Sequence, residues 1–190
     1  MTVDAAGSPI RQVLRPGETV LWAGAQNVAA YALRGAWFLI PFSLLWGGFA
    51  IFWEISALLT RPLPFALFGV PFVVIGLYLI FGRIYVALRE AEHTSYAITD
   101  RRVLIVTGAF GQRLLELDLR DLPTAQLEDL GRGLGTVTLG ASISPFRAPP
   151  GWPTFGTYTR PAAFEMISEA RRVFEILQDA KAEARRVPGS

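Results

Sequence analysis

The chain has 190 residues, a formal net charge of +2 and 52% hydrophobic residues, against only 18% charged, where soluble proteins carry about 25%. It has no cysteine and one histidine, His93, which excludes disulfides, zinc–thiolate sites, a cysteine nucleophile and multi-histidine metal sites. The basic side chains are almost all arginine, with Lys181 the one lysine, a bias better explained by genome composition than by phosphate binding, which needs clustered arginines.

Residues 1–34 read as a polar N-terminal segment. Residues 36–59, AWFLIPFSLLWGGFAIFWEISALL, then hold a single charge, Glu54. Residues 64–81, PFALFGVPFVVIGLYLIF, hold none. A helix crossing a hydrocarbon core of ~30 Å needs ~20 mostly apolar residues, so both segments are candidates, and together they define a hairpin over 35–82. The link between them is only Thr60 to Leu63, short enough that the helices must be antiparallel neighbours. Pro41 and Pro71 are tolerated in membrane helices. Gly47, Gly48, Gly69 and Gly76 are small enough for close helix approach.

Arginine placement gives the orientation. Arg34, Arg83, Arg89, Arg101 and Arg102 lie on the side of both termini and Arg61 alone in the hairpin loop. Both termini are therefore expected in the cytoplasm, with the hairpin in the inner membrane. Trp37, Trp53 and Tyr85 fall at expected interfacial positions. The first apolar stretch follows a polar segment with acidic residues, which argues against a cleaved secretory signal. Glu54 is the ionisable group of the spans and a functional candidate on that ground. It lies about 18 residues past Ala36, or ~27 Å along the helix. That depth suits a carboxylate snorkelling to the far interface beside Arg61; a partner-binding or proton-linked role is the alternative.

Past the hairpin, over 83–190, the hydrophobic period becomes two. Tyr96 and Ile98 share a face in HTSYAIT; VLIVTG follows the turn TDRR. In RLLELDLR, Leu115, Leu117 and Leu119 face one way and Glu116, Asp118 and Arg120 the other. QLEDL, TVTLG with Val137 and Leu139 inward, and TFGTYT continue the run. Such strands predict an antiparallel sandwich or barrel. From Pro161 the spacing turns helical: Phe164, Ile167, Ala170, Phe174 and Leu177 predict one amphipathic C-terminal helix over 161–186, packed on the sheet.

The segments LRPGETVLWAG, YAITDRRVLIVTG, GLGTVTLG and FEMISEARRVFEIL, with the helix pair among them, resemble the bacterial PH-domain (pleckstrin-homology-like) membrane proteins. The likeness runs from Leu14 to about Ala180. It implies a membrane α-helical hairpin plus a PH-like antiparallel β-sandwich or barrel capped by one C-terminal α-helix, held at the cytoplasmic face of the inner membrane. It implies no particular activity.

Few groupings suggest chemistry. GRGLG, Gly131 to Gly135, precedes an alternating strand and not a helix, so it reads as a turn and not a phosphate loop. TDRR, Thr99 to Arg102, fits a structural turn, while Arg101 and Arg102 also offer contacts to anionic lipid. Asp100 would oppose a polyanionic headgroup. Residues 141–155 form a long loop in which Arg147 and Trp152 are candidates for a bilayer or partner contact. Glu116, Asp118, Asp121, Glu128 and Asp129 read as solvated charge. No nucleophile–base pair, metal set, cofactor motif or nucleic-acid motif is expected, so the chain reads as a non-enzyme. Its expected partners are the bilayer and a protein segment or second copy, with anionic phospholipids as the alternative. A transport complex using Glu54 is the remote one.

Overall fold

A computed structural model describes residues 9–60, 63–108, 111–140, 150–151 and 162–186. Seven strands form two antiparallel sheets. The first contains β1 (Val20–Ala25), β2 (Ser95–Thr99), β3 (Arg102–Thr107) and β4 (Arg113–Asp118), in that order. The second contains β5 (Ala125–Gly131), β6 (Leu134–Leu139) and β7 (Ala163–Ser168). Five helices complete the described chain: α1 (Val28–Ala32), α2 (Ala36–Thr60), α3 (Leu63–Leu77), α4 (Arg83–Glu92) and α5 (Ala170–Arg186).

The strand VLWAGA was not expected from the sequence. Its pairing changes how the molecule is organised. β1 pairs directly with β2, Ala25 opposite Ser95 and Trp22 opposite Ile98, so everything from α1 to α4 is an insertion between two neighbouring strands. The segment before α1 is thus part of the sheet that follows α4. Antiparallel neighbours need a connection of only two to five residues; here that connection is the helical hairpin. Both of its ends are anchored in adjacent strands.

α2 has 25 residues and is long and apolar enough to cross a membrane. The second such helix runs from Leu63 to Glu92, 30 residues, because α3 passes through a π-helical turn, Tyr78–Gly82, into α4 without a break. It therefore continues well past Phe81, where the apolar sequence ends. Beside the π turn, the Tyr78 hydroxyl donates to the Gly151 carbonyl at 2.5 Å. Gly151 has φ of +67°, and a Cβ there would overlap the carbonyl oxygen of Arg83. Gly151 is thus keyed onto the helix where the π turn opens it. α1 is capped by Asn27, whose side chain accepts from the Ala30 amide at 2.9 Å. It packs on α4 through Tyr31, Ala32, Ala87, Ala91 and Met166.

The two long helices meet along a seam of small residues. Leu39, Ser43, Gly47, Ala50 and Ala57 are the buried residues of α2, at the three-and-four spacing of a packed helix face. Gly76 lies against Gly47 so closely that a Cβ on Gly76 would be 2.8 Å from the Gly47 Cα. Gly69 makes room for Glu54 in the same way, while Gly48 faces open space. Of the four glycines singled out by composition, three therefore make the contact.

The main core fills the space between the sheets and α5. Tyr96, Ile98, Val103, Ile105, Leu119, Val137, Phe164, Ile167, Val173 and Leu177 are all buried there. The outer face of the first sheet is covered as well: Ile10, with Val13 and Leu14, packs on Ala97, Leu104 and Val106. Coverage on both sides explains why every residue of β2 is buried.

The C-terminal segment departs from expectation. Residues 163–168 are a strand, and the helix starts only at Ala170. Phe164 and Ile167 are both buried, but on β7, and the buried stripe of α5 is Ala170, Val173, Leu177 and Ala180; Phe174 is half-buried. The physical reason is a β-bulge. Val137 pairs with Phe164 and Gly135 with Ile167, so two steps on β6 match three on β7, and Met166 takes a φ of +50°. A bulged strand places inward residues three apart, which mimics a helical period. The TFGTYT segment and Pro161 lie outside the described residues.

Candidate interaction site

The turn between β2 and β3 is built by Thr99. Its hydroxyl oxygen accepts from the Arg102 amide at 3.0 Å and the Arg101 amide at 3.3 Å, the local bonding that makes Thr a turn residue. The same turn holds the N-terminal segment. The Thr19 amide donates to Asp100 Oδ1 at 3.0 Å, and the Asp100 amide donates to the Thr19 carbonyl at 3.0 Å.

Arg102 then runs into the interior. Its Nε and Nη2 each donate to one oxygen of Glu18 at 2.8 Å, a bidentate pair, and Nη2 also donates to the Val13 carbonyl at 2.9 Å. Nη1 pairs with Glu116 on β4. Glu18 accepts further from the Thr99 hydroxyl at 2.8 Å and the Arg15 amide at 2.9 Å. Its side chain is 1% exposed and that of Arg102 6%. Hydrogen bonds from Arg102, with those of the Arg15 amide and Thr99, hold the Glu18 carboxyl down to about 2 against the opposing effect of burial. The Arg102 guanidinium is correspondingly raised, chiefly by Glu18. A buried pair this fully bonded is costly to break from one side.

This cluster decides the two arginines of the turn. Arg101 is 65% exposed and 3.7 Å from Asp100. Arg102 is buried and engaged on every side, so its head is not presented to a lipid headgroup, and the expected basic pair reduces to Arg101. Arg61, Arg147 and Trp152 lie outside the described residues. Glu54 turns its carboxyl toward Gly69 of α3, and its Oε2 is buried without a hydrogen-bond partner. That orientation is not the run to the interface that its depth suggested. Among the described residues no group of three His, Cys, Asp or Glu side chains could hold a metal ion.

Glu116 also accepts from Arg15 at 3.0 Å, and so ties β4 to the N-terminal segment. Among the described residues β4 is an edge strand, paired only with β3. Leu115 and Leu117 lie opposite the core residues Ile105 and Val103, as their alternation predicted. Burial falls along the strand, however: Leu119 beyond its end is fully buried, Leu117 is half-buried, and Leu115 is 43% exposed. Leu114, on the other face, is 42% exposed. A free strand edge with apolar side chains on both faces is an unusual liability, since it templates pairing with another chain. The other sheet ends on β5 at its corresponding edge, where Leu130 is also exposed. The β5–β6 turn itself is structural, with positive φ at Arg132 and Gly133 as in a type I′ hairpin, and with Asp129 accepting from the Gly131 amide at 2.9 Å.

Strands in a four-plus-three arrangement, closed by one C-terminal helix, are the PH-like outline, and comparison with known families agrees. The bacterial PH domain family matches residues 29–181. The chain belongs to that family. It is also similar to an uncharacterized 23.7 kDa protein in the puhA 5′ region of Rhodobacter capsulatus, with 31% identity over 184 residues that cover 88% of this chain and 81% of that protein. No solved structure matches it. The family match includes the hairpin, and two of the motifs that carried the resemblance meet in space: GET supplies Glu18, TDRR supplies Thr99 and Arg102, and they form one cluster. Sequence reasoning missed Glu18 and Glu116 as its members. The sequence marked neither, since Glu116 alternates with Asp118 and Arg120 as an ordinary polar strand face and Glu18 follows Arg15 by three residues.

Proposed function

We propose that this bacterial PH domain protein is a membrane-anchored scaffold without catalytic activity. In this reading α2 and the α3–α4 helix cross the inner membrane, and both termini and the PH-like domain lie on the cytoplasmic side. The domain binds an extended protein segment, or a second copy of itself, along the open edge of β4. The observation that carries the reading is that edge, with Leu114 and Leu115 exposed on its two faces and, among the described residues, no neighbouring strand to pair its outer backbone groups. Extended peptides dock on such edges through main-chain bonds, with alternate side chains filling apolar sites. The insertion of the hairpin between β1 and β2 supports the anchoring part, because two connections hold the domain in one attitude at the bilayer.

A photo-crosslinking side chain at position 115, in the full chain in its membrane, tests this. A discrete adduct with one protein or with itself, absent when the probe replaces Asp179 on the exposed face of α5, is the expected result. Monomer without adduct from position 115 overturns the scaffold reading. Binding of anionic over neutral vesicles that falls with Arg101→Ala would favour the lipid reading instead.

A further inference from the structure

The geometry points to the Glu54–Gly69 notch as a docking point for an arginine on the transmembrane helix of another protein. The inference rests on the reading that the hairpin crosses the membrane. Glu54 occupies the same seam as Gly47 and Ala50, where every other buried residue of α2 is small or uncharged. Its Oε2 is buried and makes no hydrogen bond. The hydroxyls on α2 offer no relief, since each is spent on its own helix: Ser43 donates to the Ile40 carbonyl at 2.9 Å, Ser56 to Phe52 at 2.8 Å and Thr60 to Ser56 at 2.7 Å. Neither α2 nor α3 contains another Asp, Glu, Lys, Arg or His. Among the described residues, the hairpin therefore leaves one oxygen of this acid without a donor, in a medium where an unsatisfied polar group is expensive.

The surroundings select a cation. Glycine at 69 is what lets the carboxyl lie between the helices, because a Cβ there would overlap Oε2. Oε2 is sealed there, but the residue as a whole is only half-buried, so part of its side chain stays accessible from outside the seam. On the same two helices the rings of Phe49, Trp53 and Phe65 form a row, with centroids 6.3 Å apart at each step; Trp53 is the residue before Glu54, Phe65 stands one turn before Gly69, and Trp53 is 46% exposed. A carboxylate with exposed aromatic residues one position and one turn away suits a guanidinium, which can pair with an acid and lie on a ring face at once. Its long stem also lets the charge reach a seam while its own helix stays in lipid.

The test uses the full chain in neutral-lipid vesicles and a designed probe. The probe is a fluorescent leucine-rich transmembrane peptide with one arginine at the depth of Glu54, about 9 Å from the loop-side end of the helix. Its partner is the all-leucine peptide. Energy transfer is expected to show the arginine peptide binding the wild-type chain about tenfold more tightly, the scale of a good interhelical polar contact. Glu54→Gln should cut that preference several-fold and Glu54→Leu remove it. Equal binding of the two peptides, or a preference that survives Glu54→Leu, overturns the inference. Cysteine labelling of the hairpin loop in the same vesicles separates the failures. A chain that spans the bilayer but shows no arginine preference sinks only the docking point; a chain that does not span it sinks the anchoring reading as well.

Discussion

Glu18 and Glu54 both turn toward the interior of this protein, and they are treated in opposite ways. Glu18 in the PH-like domain receives donors from Arg102, Thr99 and the Arg15 amide; Glu54 in the hairpin leaves Oε2 with none. The domain can supply partners because strands and turns bring residues more than 80 apart in sequence into contact, while a two-helix hairpin offers one narrow seam whose backbone is already bonded within each helix. A fully bonded carboxylate is a structural part. An unbonded one in the same molecule is a place where something else belongs.

The largest effect should come from breaking the satisfied side. Arg102→Ala leaves Glu18 buried without its counter-charge and is expected to destabilise the domain by about 3–5 kcal/mol, read by chemical denaturation in detergent. A loss near zero would mean that the cluster is solvated, and the contrast with Glu54 would disappear. The seam is next. Gly76→Leu drives a side chain into Gly47 and should cost about 1–3 kcal/mol of helix packing. The cysteine-free chain makes this readable, since a disulfide between Ala50→Cys and Val73→Cys, midway between the two glycine contacts, should form in the parent and fail once Gly76→Leu is added. The smallest effect is graded. The Glu18 carboxyl sits at about 2 in the folded protein against an ordinary 4.5, so its contribution is complete above pH 4.5 and is lost as pH falls toward 2. At a pH of about 4 only a fraction should be gone. In Arg102→Ala that part of the acid dependence should flatten, which ties the titration to this pair.

Much of the architecture was legible because it depends on local periodicity. The two apolar runs give the helices directly, and the alternation in RLLELDLR gives the correct inward face of β4. Two local signals misled, each for an identifiable reason. Phe164 and Ile167 stand three apart, and a bulge at Met166 produces that spacing as readily as a helix does. VLWAGA has no polar alternation, since it leaves Leu21 46% exposed and only Ala23 meets the segment that covers the sheet, so nothing in its pattern marks it as a strand of a sheet that resumes about 70 residues later. The candidate sites divide in the same way. Glu54 was legible as an acid in an apolar run, but its direction was not, since Gly69 decides it. Arg102 was legible as basic and was placed with Arg101; the two part because the strand sends one side chain to solvent and its neighbour to Glu18.

By itself the sequence determined that two helices are apolar enough for a membrane, that antiparallel strands and a helix follow, and that Glu54 is the one acid inside the two apolar stretches. These depend on composition and on period, which are properties of neighbours along the chain. Only the tertiary structure decided that the hairpin is an insertion between β1 and β2, that Arg102 is sealed against Glu18, and that the Glu54 carboxyl lies in a notch made by Gly69. Each of those joins residues far apart in sequence, and pairing, ion-pair burial and close approach are set by which distant groups the fold brings together.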